Sequence, residues 1–110
     1  MKGHLAINVG EKTINCLFGM TALLDFCKSK DVPFSDIGKV FNEGNGNMFD
    51  DMFELLYHAH VCYCDYMDTP AEYNKRKIQL ICDQGDLESI LEGTVAAMFA
   101  GISTKKKVSG

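Results

Sequence analysis

No stretch of this chain approaches the ~20 consecutive apolar residues that a membrane-spanning helix requires, so no membrane partner is expected. Met1 to Gly10 lacks the unbroken apolar segment of a signal peptide, and a cytoplasmic location is expected. Basic charge is also in short supply. Eleven Lys and Arg face fifteen Asp and Glu, for a net charge of −4. Nucleic-acid binding draws its affinity from neutralised phosphates, and the basic clusters here are only Lys75-Arg76-Lys77 and Lys105-Lys106-Lys107. No nucleic-acid partner is expected. A disulfide scaffold is missing too: the five cysteines, Cys16, Cys27, Cys62, Cys64 and Cys82, are odd in number and irregularly spaced. They read as free thiols of a reducing compartment, most of them buried as small apolar side chains. Gly44-Asn45-Gly46 is followed by neither Gly-Lys-Ser nor a βαβ pattern, so no phosphate-binding loop is present.

What is present suits one globular unit. A chain of 110 residues with 46% apolar and 24% charged residues buries roughly two thirds of its unfolded surface, enough for one core. Leu5, Ile7 and Val9 alternate, as do Ile14, Cys16 and Phe18 beyond Gly10-Glu11-Lys12. This predicts a β-hairpin over 4–18. Five helices should follow, at about 20–30, 35–42, 48–67, 70–84 and 86–100. Ala22, Leu23, Phe26 and Cys27 recur at helical spacing until Pro33. Ser35 offers an N-cap for Ile37, Val40 and Phe41. Asn42 to Asn47 reads as a turn or flexible loop. The strongest helical pattern is Phe49, Met52, Phe53, Leu56, Ala59, Tyr63, Tyr66 and Met67, with Asp50, Asp51 and Glu54 in the turns where the helix dipole favours acids. Thr69-Pro70-Ala71-Glu72 has the form of a capping box, and Leu80 is expected among the apolar residues that follow. Asp86 is expected to cap a last helix that Gly101 ends, within which Gly93 invites close packing. The fold class is therefore mostly α (α+β): an N-terminal hairpin and about five helices in a small bundle, one domain over 1–102, and a flexible tail over 103–110.

The segment from His58 to Asp65 invites a metal reading, with two His, two Cys and an Asp in eight residues. Helical geometry argues against one site. Residues two apart point about 200° from each other, which leaves only His58 with Cys62 and His60 with Cys64 as compatible pairs. Each is half of a tetrahedral zinc site, and Cys16, Cys27 or Cys82 would complete it only through tertiary coincidence. One pair is expected inside the packing and the other outside. A mid-helix thiol also lacks the electropositive setting and oxyanion donors of a nucleophile. No catalytic residue, metal or cofactor is expected, and the chain is not expected to be an enzyme.

Six Met and eleven Phe and Tyr form a soft apolar inventory. It suits core gap-filling, and equally an adaptable groove for an apolar helix. Two faces are candidates for client or self contacts: Phe49, Met52, Phe53 and Leu56 on the long helix, and Leu91, Val95, Met98 and Phe99 on the last.

Read in order, the elements resemble the tail assembly chaperones of long-tailed bacteriophages. The likeness runs from the hairpin Leu5 to Phe18 through Phe18-Gly19-Met20, the helix Thr21 to Lys30 and Val32-Pro33-Phe34-Ser35. It continues through Asp50 to Ala59, Thr69-Pro70-Ala71-Glu72 and the last helix to Gly101. Val61-Cys62-Tyr63-Cys64 departs from the family, and no site is carried over there. The resemblance implies a non-enzymatic chaperone in the bacterial host cytoplasm, self-associating, that keeps the apolar helical tape measure protein soluble during tail assembly. It also implies a longer form made by ribosomal frameshifting, for which a run of adenines encoding Lys105-Lys106-Lys107 would serve; a solvated basic tail is the alternative. The competing function is a small helical adaptor or regulator unrelated to phage tails.

Overall fold

The structure, a computed structural model, describes residues 1–41 and 47–102. Most of the loop expected at 42–47 and the tail at 103–110 lie outside the described residues. Strands β1 (His4–Val9) and β2 (Lys12–Leu17) form an antiparallel hairpin in which Leu5 pairs with Cys16, Ile7 with Ile14 and Val9 with Lys12. Residues directly opposite share a face, so these apolar side chains converge, and Ile7, Ile14 and Cys16 are buried. Gly10, at φ +61, supplies the left-handed residue that a two-residue hairpin turn requires.

Helix α1 (Met20–Lys30) buries Ala22, Leu23, Phe26 and Cys27 as the spacing predicts. It stops before Pro33 because Asp31 adopts a left-handed conformation, and Val32 N–H returns to the Cys27 carbonyl at 3.0 Å. A 3-10 turn (Phe34–Asp36) leads into the short helix α2 (Ile37–Val40). Ser35 lies inside that turn and caps neither element, against the expectation.

Helix α3 (Met48–Tyr66) is the spine. It packs on β2, α1 and α4 (Lys75–Asp83), and buries Met52, Phe53, Leu55, Leu56, Ala59, His60, Cys62 and Cys64. Helix α5 (Leu87–Ile102) touches α1, α3, α4 and β1. The core centres on Ile14, Phe18, Leu23, Phe26, Met52, Leu55, Leu56, Ile78 and Met98, all fully buried.

Four local expectations yield to tertiary structure. The helix expected from Thr69 begins at Lys75, capped by the Asn74 side chain, which accepts Lys77 N–H at 2.8 Å. The Glu72 and Tyr73 amides are committed elsewhere, to His60. Leu80 is exposed on α4 rather than packed. Gly93 faces open space, whereas Gly101, expected as a helix stop, lies within α5. There a β-carbon would collide with the Phe18 backbone oxygen, so its missing side chain lets α5 seat on the end of the hairpin. No helix among the described residues is long and apolar enough to cross a membrane.

Candidate functional site

The eight candidate residues separate. Met52, Leu56 and Met98 have no exposed surface and Phe53 almost none. They serve the core, because α3 is enclosed by β2, α1 and α4 and Met98 lies on the inner side of α5. Phe49, at 40% exposure, remains open near the start of α3. On α5, Leu91 and Val95 are half-buried and Phe99 is 47% exposed. These three recur every four residues and so form one stripe. The Phe99 ring lies over Gly38 of α2. Met20 and Leu24 on the adjoining α1 are exposed as well.

The charge on α5 itself has one sign. Glu88 and Glu92 are the only ionic residues of α5, both exposed. Their spacing places them on the same side of the helix as Val95 and Phe99. Asp86 caps the helix, its carboxylate accepting Ser89 N–H at 3.2 Å and Ser89 hydroxyl at 3.0 Å. Those bonds, the backbone one foremost, hold Asp86 below the usual carboxylate range.

An ionic network that the sequence pattern did not reveal joins three helices. Lys30 of α1 lies 2.7 Å from the buried Asp51 and 3.7 Å from Asp50. Lys75 of α4 lies 3.2 Å from Asp50 and 3.0 Å from Glu54, and Glu54 also meets His58 at 2.9 Å. The Lys30–Asp51 contact is ionic, since Asp51 Oδ1 has no partner in hydrogen-bonding geometry among the described residues. Asp51 nonetheless raises the Lys30 ammonium above its ordinary value. Burial works against the Glu54 charge, but Lys75 and His58 outweigh it and leave Glu54 below its usual range. All three of these acids, Asp50, Asp51 and Glu54, are expected from the sequence to serve the helix dipole. Their lysine partners come from distant elements, so no local pattern announces them.

The His-Cys segment divides only in part: one pair lies inside as expected, but the pair expected outside does not stay there, because Cys62 is buried in the core as well. His60 and Cys64 are buried together, with Sγ 3.7 Å from Nε2. His58 is half-buried and bonds Glu54 rather than Cys62. All five cysteines are free and buried. Burial pushes the Cys62 and Cys82 thiols up to about 11 and Cys16 higher still, the reverse of what a nucleophile or metal ligand requires. Among the described residues no group of three or more His, Cys, Asp or Glu is placed to hold a metal ion. An open groove of about 470 Å³ lies between the hairpin turn and α4, floored by Val9, Leu80 and Ile81 with Lys12 and Lys77 beside it.

Comparison with known proteins finds no matching family model, no matching curated protein and no matching solved structure.

Proposed function

We propose that this chain is a non-enzymatic binding protein that covers an apolar helical segment of another protein with the Leu91–Val95–Phe99 stripe of α5. One observation carries the reading. Helix α5 has a higher mean hydropathy than α3, yet among its described side chains only Thr94 and Met98 are buried, along with Gly101. Full burial of a Val, Leu or Phe side chain is worth about 1.5–3 kcal/mol, and part of that remains unrealised along this stripe. An amphipathic helix laid against it would complete the burial. Glu88 and Glu92 favour a partner whose apolar stripe is bordered by Lys or Arg.

Within this class the proposed role is that of a long-tailed phage tail assembly chaperone. The support is the order of elements, a hairpin followed by the helices, together with an apolar surface left for a client. The client would be the tape measure protein, a long apolar helix that aggregates when uncovered. Self-association through the same stripe would hold the surface until the client arrives.

The test is coexpression with a tape measure protein, reading the soluble fraction and co-elution on size exclusion. Wild-type protein should keep the client soluble, and Val95→Ser with Phe99→Ser should not. Equal capture by both proteins rejects the stripe. Capture of basic amphipathic helices generally, with no preference for a tape measure segment, favours the adaptor reading over the phage one.

A further inference from the structure

The groove between the hairpin turn and α4 leaves apolar surface uncovered. Its floor is Val9, Leu80 and Ile81, and Leu80 is 48% exposed although it lies within the helix. Lys77, Leu80 and Ile81 recur at three and four residues and so share one side of α4. Lys12 enters from β2 beside Val9, its partner across the hairpin. Lys30, Lys39 and Lys75 are ion-paired, whereas Lys12 and Lys77 have no ion pair among the described residues. Glu11 is the only acid among the lining residues, so the groove is locally basic in a chain of net charge −4. An apolar floor bordered by two uncommitted cations fits an apolar stripe bordered by acids.

Helix α5 carries such a stripe, with Glu88 and Glu92 on the side of Val95 and Phe99. Within one molecule the two surfaces do not meet. A β-carbon at Gly85 would lie 3.1 Å from the Val9 side chain and 3.5 Å from that of Ile90. Ile90 therefore faces the hairpin end that lines the groove. Phe99, nine residues on, points about 180° away from Ile90, so groove and stripe look out from opposite sides of α5. Pairing two copies stripe against stripe would oppose Glu88 and Glu92 of one to the same acids of the other, with like charges facing. Resting on the reading of α5 as a contact surface, we infer that the α5 stripe of one copy docks in the Val9–Leu80–Ile81 groove of the next, with Glu88 and Glu92 meeting Lys12 and Lys77. The two surfaces differ, so the contact is heterologous and copies add head to tail. Each docked stripe is covered until a client helix displaces the neighbouring groove.

Sedimentation velocity of the full chain over about 5–500 μM tests this. Wild-type mass should rise with concentration and fall with added salt. Lys12→Glu with Lys77→Glu, and separately Glu88→Lys with Glu92→Lys, should each raise the concentration of half-association by ~10-fold or more. All four side chains are exposed, so the core is untouched. An equal mixture of the two double variants should regain association, because every stripe again finds a groove of opposite charge. A wild type that stays monomeric, a double variant that associates as the wild type does, or a mixture that stays monomeric overturns the docking. Should a charged variant fail to fold, Leu80→Ser decides: weakened association supports the docking and unaltered association overturns it. Client capture is read separately by coexpression, since Lys12→Glu with Lys77→Glu leaves the stripe intact. Absence of capture by the wild type, with the charge dependence of association as stated, rejects the client reading and supports the docking. Capture without self-association overturns the docking alone.

Discussion

Helices α3 and α5 are the two longest elements, and they use apolar residues in opposite ways. Helix α3 carries acids, two histidines and three tyrosines, yet it buries residues through most of its length, among them Asp51 and His60. Helix α5 carries only two ionic side chains and has the higher mean hydropathy, yet Leu91 and Val95 are half-buried and Phe99 is exposed. The difference lies in neighbours. Helix α3 has β2 on one side and α1 and α4 on others, and those neighbours also bring partners for its polar groups. Helix α5 lies at the margin and is seated through Met98 and the Gly101–Phe18 approach. Burial thus follows position in the bundle, and α5 keeps surplus apolar surface, on which the proposed partner binding rests.

The largest effect should come from the centre of α3. Leu56→Ala should cost about 2–5 kcal/mol, read as a lowered urea midpoint; a loss as small as that of an α5 surface variant would break the contrast. Next is Gly101→Ala, whose new methyl meets the Phe18 backbone oxygen. A loss of about 1–3 kcal/mol is expected, although Ala is otherwise the better helix former. Full stability would show that α5 is not seated there. Asp86→Ala should lower stability modestly by removing the cap. Because the folded carboxyl is held below its ordinary value, its contribution is present above the usual carboxylate range and is lost as pH falls through the lowered value. In a pH series of thermal melts, the wild type and Asp86→Ala should converge in acid. Smallest for folding is Phe99→Ser, expected within about ±0.5 kcal/mol while weakening client capture or self-association. Met98→Asp is the contrasting substitution on the same helix: it places a charge in the core and should unfold the protein.

Much of the fold was legible in residue spacing. The alternation of Leu5, Ile7 and Val9 and of Ile14 and Cys16 is the hairpin, and the pattern from Met20 to Lys30 is α1 to the residue. Legibility failed where a distant group outbid a local signal. Thr69-Pro70-Ala71-Glu72 reads as a helix start, but His60 holds the Glu72 and Tyr73 amides. Ser35 reads as a cap, yet the chain around it tightens into a 3-10 turn. The candidate faces were legible only as apolar stripes. Met52 and Phe49 lie three residues apart on one stripe, and the neighbouring elements cover the first while leaving the second open.

By itself the sequence determined the number, order and kind of the elements and which side of each is apolar, because spacing along a helix or strand is set by local backbone geometry. Only the tertiary structure decided which apolar sides are covered, how Asp50, Asp51 and Glu54 find Lys30 and Lys75, and how His60 comes to bond the Glu72 amide twelve residues away. Those outcomes depend on groups far apart in the chain meeting in space, and an unfolded sequence places no such groups side by side.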